Sequence, residues 1–302
     1  MTAPVVVVGS LNVDRTYRVR RLPAAGHTIH ARSRSTAAGG KGANQAVAAA
    51  LLGADVALVG AVGDDQGGDD LVESVAAAGV DVTGIVRVDA PTGEAVVLVD
   101  ADAENLIVVS GGANLCLDAA AVTSAVRAAR FVVAGFEVPD DAVLAAAARA
   151  RELGARFVLN PSPMRRLPAG LLGPGALLVV NEHELAMLAG GDATVGERAR
   201  AASGRLGGCD VLVTLGARGA LLHEASTGHP AEIVAPRVDA VDTTGCGDAF
   251  MGALVAGLAA DLDPAAAATR AVEAGAFAAT RPGAQSSYPT SEELTRWRRD
   301  RQ

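Results

Sequence analysis

Aromatic residues are scarce in this sequence of 302 residues: Phe, Tyr and Trp together make up 3% of it. A core must therefore be filled mainly by Ala, Val and Leu, and surfaces that stack the bases of single-stranded nucleic acid are not expected. Basic residues are also in the minority, because 26 Lys and Arg stand against 34 Asp and Glu, a formal charge of −8. This balance argues against a general nucleic-acid binder and against a basic membrane-surface protein.

Cysteine is rare as well. Cys116, Cys209 and Cys246 lie far apart and form neither a CxxC pair nor a disulfide framework, which fits a reducing compartment. The longest apolar run, residues 249–260, is too short to span a bilayer. The N-terminus has no basic segment before its apolar stretch, so a secretory signal is not indicated. We therefore expect a cytoplasmic protein without a membrane partner.

Apolar material is abundant: half of the residues are hydrophobic and 20% are charged, enough for one large folded domain over 1–302. Short apolar runs alternate with longer segments of helical periodicity. Repeated βα units of this kind predict an α/β fold with a parallel sheet covered on both faces. The predicted strands are 5–8, 56–61, 131–134, 157–159, 177–180 and 211–215. The predicted helices are 41–52, 69–78, 140–153, 182–188, 195–206, 249–260, 264–280 and 291–301.

Two segments interrupt this alternation. Residues 15–35 and 93–110 show no helical periodicity and are typical of strand pairs joined by turns. Four strands from two insertions predict a small sheet attached to the main body, over about 15–37 and 93–111. A flap of that kind commonly closes over a substrate.

The segment Gly245-Cys246-Gly247-Asp248 precedes an apolar helix. The glycines allow backbone amides to converge, and the helix adds its positive end, so the segment predicts an anion pocket. Asp248 in that pocket fits a base that takes a proton from a hydroxyl attacking a phosphoryl group. The alternative is that Asp248 only favours the helix dipole and that the glycines make a tight turn.

A second glycine-rich segment, Gly39-Gly40-Lys41-Gly42-Ala43-Asn44, opens a helix. It is not a P-loop, because no Ser or Thr follows Lys41. Its glycines would let a polyol approach the backbone, with Asn44 as donor and acceptor; the alternative is a turn that simply starts a helix. Asn12 and Asp14 lie on one side of an extended chain after the first strand, where ligands of open α/β sheets bind.

Two features suggest a nucleotide. Asn181 and Glu184 share a helical face and could hold the waters of Mg²⁺, although an N-cap with a capping box explains them equally. The segment 214–219 follows a strand and suits phosphate or ribose, with a β-turn as the alternative. No G-x-G-x-x-G follows a strand, because Phe250 replaces the third glycine, and Met187 excludes an HExxH zinc site. A dinucleotide-binding oxidoreductase therefore has little support.

Together, and in this order, these segments resemble the ribokinase-like (PfkB) family of sugar kinases. The resemblance covers nearly the whole chain and implies a three-layer αβα sandwich with a mostly parallel central sheet and a small β-sheet lid. The residues that carry it are Gly9-Ser10-x-Asn12-x-Asp14, Gly39 to Ala46, Gly112-Ala113-Asn114, Asn160-Pro161, Asn181-Glu182-x-Glu184, Thr214-Leu215-Gly216-x-x-Gly219, Asp242 to Asp248 and Thr280-Arg281-x-Gly283-Ala284-Gln285.

The resemblance also implies a role for each matching position. Asp248 would be the base, and the amides of Gly245, Cys246 and Gly247 would form the anion hole. The sugar would be held by Asn12, Asp14, Gly40, Lys41, Gly42, Asn44, Glu137 and Asp248. The nucleotide would be bound by Asn181, Glu184, Thr214, Gly216, Gly219 and Gly247, with Mg²⁺ reached from Glu184 through water. A monovalent cation, K⁺, would be bound by Asp242, Thr244, Ala278, Arg281, Gly283 and Ser287.

The activity implied is transfer of the γ-phosphoryl group of ATP to the 5-hydroxyl of D-ribose by a homodimer joined through its lid. The alternatives are another kinase of the family, acting on deoxyribose, a nucleoside or a hexose, and a catalytically silent sugar- or nucleotide-binding regulator. Three positions depart from the family pattern. Cys246 stands in the anion hole in place of the usual Ala or Gly, where its thiol would make the site sensitive to alkylation. Val272 stands where a polar residue often meets the adenine edge, which bears on nucleotide preference. Glu94 replaces the usual apolar residue in the lid segment and would alter which sugar fits.

Overall fold

The computed structural model describes residues 4–102, 104–190 and 193–301. The strands among them are β1 Val5–Val8, β2 Asn12–Arg18, β3 Ser33–Gly39, β4 Val56–Gly63, β5 Asp81–Val88, β6 Gly93–Val99, β7 Asn105–Ser110, β8 Phe131–Gly135, β9 Arg156–Asn160, β10 Leu177–Asn181, β11 Asp210–Thr214, β12 Ala220–His223 and β13 Pro230–Ile233. The α-helices are α1 Lys41–Leu51, α2 Gln66–Ala77, α3 Ala119–Ala125, α4 Asp140–Leu153, α5 Glu182–Ala189, α6 Val195–Arg205, α7 Cys246–Ala259, α8 Pro264–Ala279 and α9 Ser291–Arg299.

The central sheet has nine strands in the order β13-β12-β11-β10-β9-β8-β1-β4-β5. Every neighbouring pair from β11 to β5 is parallel, and β12 and β13 are added antiparallel at one edge. One hydrophobic cluster joins a face of this sheet to α1, α2, α7, α8 and α9. The other joins the opposite face to α3, α4, α5 and α6. The predicted three-layer α/β sandwich is therefore confirmed.

The core consists mainly of small aliphatic side chains, as the shortage of aromatic residues predicts. Small residues let helices approach closely, and this is clearest where α7 crosses α1. A Cβ placed on Gly252 of α7 would lie 2.4 Å from the Cβ of Ala48 in α1. Since real Cβ atoms do not approach so closely, only glycine permits this helix contact.

All six parallel strands predicted from the sequence are present in the central sheet. Two predicted helices begin too late. Helix α2 starts at Gln66 because the Asp65 carboxylate accepts a hydrogen bond from the Gly68 amide and caps the helix. Helix α7 starts at Cys246, so Asp248 lies in its first turn and not before it.

The second sheet, here called the lid sheet, has the strand order β3-β2-β6-β7. Strand β2 pairs antiparallel with β3 and parallel with β6, and β7 forms an edge. Only residues 9–11 connect β1 of the central sheet to β2 of the lid sheet. This short connection places the polar side chains at the start of β2 near the carboxyl ends of the central strands. Among the described helices, none is long and apolar enough to cross a membrane.

Candidate active site

A cavity of about 240 Å³ opens at the carboxyl ends of the central strands, where α/β proteins bind ligands. Strands β9, β10 and β11 end at it, and the first turn of α7 forms its floor. The residues that line it are Lys41, Asn160, Ser162, Val179, Val180, Asn181, Glu184, Thr214, Gly245, Gly247, Asp248, Phe250 and Met251. Two of the predicted motifs, at Lys41 and at Gly245 to Asp248, therefore meet at one site although about 200 residues separate them.

Asp248 is the carboxylate at the centre of this site, and its side chain is buried. Its Oδ2 accepts a hydrogen bond from Asn44 Nδ2 at 2.9 Å, and its Oδ1 accepts one from Gln45 Nε2 at 3.1 Å. Burial raises the pKa of Asp248, and the charge of Lys41 and the two amide donors oppose that rise. Lys41 remains charged: burial disfavours its ammonium, but Asp248, Glu137 and other nearby carboxylates outweigh burial and raise its pKa.

Two further carboxylates stand beside the cavity. Glu137 Oε2 accepts hydrogen bonds from Ser10 Oγ at 2.5 Å and from the Lys41 amide at 3.0 Å. Asp14 lies in the lid sheet, and burial together with the charges of Glu137 and Asp248 raises its pKa to about 7. These groups and Lys41 form a polar surface suited to a polyhydroxy compound.

Asn12 is held rigidly next to them. Its Oδ1 accepts a hydrogen bond from Asn114 Nδ2 at 2.8 Å, and Asn114 Oδ1 accepts one from the Leu11 amide at 2.9 Å. Gly40 is the N-cap of α1 with φ 88°, a conformation that favours glycine. A Cβ on Gly42 would lie 2.5 Å from the Gly9 carbonyl carbon. The glycines of this segment therefore serve close backbone packing as well as the start of a helix.

On the opposite side of the cavity, Asn181 and Glu184 form the complete capping box of α5. The Glu184 amide donates to Asn181 Oδ1 at 2.8 Å, and the Asn181 amide donates to Glu184 Oε2 at 2.9 Å. The capping box given as the alternative is therefore present, and both side chains also line the cavity, so their contact with a hydrated cation stays a prediction. The box occupies Glu184 Oε2, and the other carboxylate oxygen is the one suited to a water-mediated cation contact.

Residues 214–219 form a turn closed by a hydrogen bond of 2.8 Å from the Leu215 amide to the Gly219 carbonyl. Thr214 lines the cavity, and the turn extends outward from it through Gly216. Gly219 has a packing reason to be glycine, because a Cβ there would lie 1.9 Å from the carbonyl oxygen of Ile233. Within the turn, Gly216–Arg218 form one turn of 3-10 helix, with a hydrogen bond of 3.2 Å from the Arg218 amide to the Leu215 carbonyl, so the tight turn predicted as the alternative is present.

Asp242 ties two loops together next to the segment Gly245 to Asp248. Its Oδ1 accepts from the Thr244 amide and its Oδ2 from the Gly283 amide, both at 2.9 Å. Burial alone would raise the pKa of Asp242, but these donors outweigh it and lower that pKa. Ser287 is fully buried and donates from its Oγ to the Ala284 carbonyl at 2.7 Å. The carboxylate, hydroxyl and backbone carbonyl oxygens of these loops are ligands that a hard cation prefers.

Comparison with known proteins agrees with this geometry. The sequence model described as "pfkB family carbohydrate kinase" matches residues 2–291. The chain belongs to the pfkB family of carbohydrate kinases. It is 36% identical to a ribokinase of Staphylococcus aureus (strain COL) over 303 residues, covering 97% of this chain and 99% of the relative. A deoxyribokinase of Salmonella typhimurium is 33% identical over 301 residues, covering 97% of this chain and 98% of that protein.

Solved structures resemble this pfkB-family chain over nearly its whole length. The ribokinase of Thermotoga maritima superimposes with a TM-score of 0.88 at 30% identity, covering 99% of this chain and 100% of the other. The ribokinase of Arabidopsis thaliana, solved with ribose and ATP, gives a TM-score of 0.88 at 31% identity, with 98% of each chain covered. The resemblance recognised from the sequence motifs is therefore confirmed.

The structure of this pfkB-family chain shows the surroundings of the three residues that depart from the family pattern. Burial and the charges of Asp242 and Asp248 raise the pKa of the Cys246 thiol to about 11, which disfavours the reactive thiolate. Glu94 pairs in register with Val13, and Ala95 with Asp14. Glu94 therefore lies on the face of the lid sheet opposite to Asp14. On that face it forms an ion pair of 2.7 Å with Arg15. Val272, in α8, is buried in the hydrophobic core between the helices and the central sheet.

Sequence reasoning missed two site residues. Gln45 donates to the central carboxylate from a position adjacent to Asn44, and Ser10 donates to Glu137. Both lie inside motifs that were recognised, yet neither received a role. Helix periodicity gave no signal for Gln45, because adjacent positions of a helix such as 44 and 45 do not share a face.

Proposed function

We propose that this chain is an ATP-dependent kinase that transfers the γ-phosphoryl group to the 5-hydroxyl of D-ribose, giving D-ribose 5-phosphate. The observation that carries the proposal is the buried Asp248 in the first turn of α7, directly after the amides of Gly245, Cys246 and Gly247. The ribokinase names of relatives at about 36% identity, and the structure of one homologue with ribose and ATP, support the choice of sugar and nucleotide.

In the proposed reaction the sugar lies between the lid sheet and the body. Asn12 and Asp14 of β2, the segment 40–44 and Glu137 bind its hydroxyl groups. Asp248 accepts the proton of the hydroxyl that attacks the γ-phosphorus. The three amides at the start of α7 and the positive end of that helix stabilise the charge that develops on the phosphoryl oxygens. Positioning and charge stabilisation are the main requirements of phosphoryl transfer, and these residues supply them.

The nucleotide would extend from the anion hole along the ends of β10 and β11, past Asn181, Glu184, Thr214, Gly216 and Gly219. A divalent cation such as Mg²⁺ neutralises phosphate charge and typically keeps several waters. The free oxygen of Glu184 fits contact with such a water. K⁺ would be held by the oxygen atoms of Asp242, Thr244, Ala278, Arg281, Gly283 and Ser287, which lie in the last turn of α8 and in the two loops that Asp242 joins.

We further propose that two copies associate through the lid sheet. Strand β7 is an edge strand in which every residue is exposed, and Leu106, Ile107, Val108 and Val109 are between 42% and 58% accessible. An exposed apolar edge is a template for pairing with another strand. A second copy of the same lid offers a matching edge. The three unpaired cysteines fit the reducing environment of the cytoplasm, where we expect the enzyme to act.

The test is release of ADP from ATP and Mg²⁺ with D-ribose, 2-deoxyribose, fructose or adenosine, each with and without K⁺. We expect selective turnover of ribose that K⁺ raises. Replacing Asp248 by Asn should lower turnover about 10²- to 10⁴-fold while the fold remains intact. Near-normal turnover in that variant would remove Asp248 from the mechanism. Silence of the wild type with every substrate would favour a binding protein instead.

Deoxyribose is the second candidate substrate, because deoxyribokinases are among the relatives at 33% identity. The two sugars differ only at the 2-hydroxyl. A site built to bind that hydroxyl discriminates strongly against its absence, since its polar groups are then left unpaired. A ratio of kcat/KM close to one for the two sugars would therefore contradict ribose specificity and leave the family assignment unchanged.

A further inference from the structure

We infer that Gln45 is a positioning residue for Asp248, acting within a chain of oriented side-chain amides that runs from Gln285 to Asn160. The inference rests on the proposed function, since it gives Asp248 the role of base. It adds two residues, Gln45 and Gln285, that contact neither the sugar nor the nucleotide in the proposed reaction.

The first argument is that each oxygen of Asp248 accepts one amide hydrogen bond. Asn44 Nδ2 donates to Oδ2 at 2.9 Å, and Gln45 Nε2 donates to Oδ1 at 3.1 Å. Both donors come from the start of α1, which packs against α7 through the glycine contact at Gly252. Two donors on different oxygens fix the rotation of the carboxylate plane, which a single donor would not do. The base is thus held in one orientation before any substrate binds.

The second argument is that the outer ends of the chain determine which way each amide points. Gln285 Nε2 donates to Asn44 Oδ1 at 2.9 Å, so the amino group of Asn44 must face Asp248. Gln45 Nε2 also contacts Asn160 Oδ1 at 3.3 Å, and Asn160 Nδ2 donates to the Val179 carbonyl at 2.9 Å. Because a backbone carbonyl only accepts, it fixes the orientation of Asn160 and thereby that of Gln45. The amino groups of Asn44 and Gln45 consequently both face the carboxylate.

The third argument is electrostatic. A buried carboxylate loses its hydration, and donors to its charged form are what keep it ionised. The charge of Lys41 lowers the pKa of this carboxylate and the charge of Glu137 raises it. Asp248 in turn raises the pKa of Asp14, Cys246 and Tyr288, so Lys41 is the one cation among these five groups. The two amides therefore supplement Lys41 in keeping the base deprotonated.

The decisive variant is Gln45→Met, which keeps the length of the side chain and removes the donor. The hydrogen bond from Gln45 stabilises the charged form of Asp248. Loss of such a bond to a charged group should therefore lower kcat about 10- to 100-fold. The KM for the sugar should change little, since Gln45 does not contact it. The pKa of Asp248, followed by NMR of protein labelled with ¹³C at the aspartate carboxyl carbon and assigned with Asp248→Asn, should rise by about one unit or more.

Gln45→Glu is the second variant, nearly identical in shape to the wild type. It brings two carboxylates together, which raises the pKa of one of them strongly, so the Asp248 signal should move further than in Gln45→Met. Gln285→Met should act through Asn44 alone, with a smaller fall in kcat and again an unchanged KM. Gln66→Met is the matched control, because Gln66 is exposed on α2 and bonds only to Asp70 among the described side chains.

An unchanged Asp248 pKa, or an unchanged kcat, in both folded Gln45 variants would overturn the inference. A rise in sugar KM with kcat preserved would also overturn it, because Gln45 would then be a binding residue. The failure of the proposed function has a different signature. If the wild type turns over no sugar, the function is wrong, whereas the NMR titration still measures whether Gln45 and Asn44 hold the carboxylate ionised.

Discussion

Replacing Gly252 by Ala tests whether the contact between α1 and α7 fixes the active site. By helix propensity alone, Ala in the interior of α7 should stabilise the protein by about 1 kcal/mol. The added Cβ would lie 2.4 Å from the Ala48 Cβ and 2.6 Å from the Ala49 amide nitrogen. Ordinary contact requires about 3.5–4.0 Å, so α1 must move by about 1 Å.

Two of the three nearest atoms belong to the backbone of α1, so the clash cannot be relieved by a rotamer change. Overpacking of this kind costs about 1–3 kcal/mol, and the upper end applies to rigid neighbours. After the propensity gain is subtracted, we expect a net loss of about 2 kcal/mol in the free energy of unfolding. Asn44 and Gln45 lie one turn before Ala48, and a displacement of about 1 Å at a catalytic group can lower the rate about 10²-fold.

The assay is urea unfolding combined with kcat and KM in the coupled ADP reaction. Gly204→Ala is the matched control, because Gly204 is in α6, is exposed and has no atom within 4 Å of its Cβ position. That variant should be neutral or more stable, with normal kcat. If Gly252→Ala is as stable as the wild type and fully active, the reasoning about the helix contact is wrong.

Three other predictions follow from the site and the lid. The pKa of Asp14 is about 7 in the folded protein and 3.8 in the unfolded chain, so between pH 4 and 7 the native state binds more protons at this group. The contribution of Asp14 to the free energy of unfolding therefore falls as pH rises. Asp14→Asn should remove that fall, as measured by urea unfolding at pH 5 and pH 8. With maleimide at neutral pH, exposed Cys116 should react first and Cys246, with a pKa of about 11, slowly, as followed by mass spectrometry. Replacing Ile107 and Val108 in β7 by Lys should halve the mass in solution, as measured by light scattering.

Each of these predictions has a result that contradicts it. An identical pH dependence of stability in Asp14→Asn would mean that the carboxyl is not buried as described. Loss of activity at the same rate as modification of Cys246, faster than that of Cys116, would contradict the protonated thiol. A monomeric wild type would refute the lid dimer. Leu144→Lys, at an exposed position of α4, is the control for an added charge away from the lid.

The sequence was most informative where one local pattern decides the structure. The run of four valines at 5–8 predicts a buried parallel strand because β-branched residues fit a sheet covered on both faces. The short strand β12 and the polar β13, Pro-Ala-Glu-Ile, carry no such pattern and were missed. They form because β11 offers an unpaired edge to them, which is a property of the assembled sheet and not of either segment.

The site follows the same division. The glycine segment and Asp248 were recognised from motifs, but the chain of side-chain amides around Asp248 joins residues 115 to 241 positions apart. Long-range pairing of that kind has no trace in spacing or periodicity. The face of Glu94 was also unavailable from composition, because the register of β6 against β2 decides it and a shift of one residue would reverse it.

Asp14 stands on the lid sheet, whereas Asp248 stands on a helix of the main body, and only residues 9–11 join the two sheets along the first connection. In the proposed reaction one sugar molecule contacts both carboxylates. The measured affinity for the sugar then depends on the fraction of molecules in which the lid sheet and the main body are already in contact. The smaller that fraction is, the weaker the apparent affinity. Substitutions near Leu11 can consequently change sugar affinity without altering any atom that touches the sugar, and selection for affinity in this protein can act at the connection between the sheets.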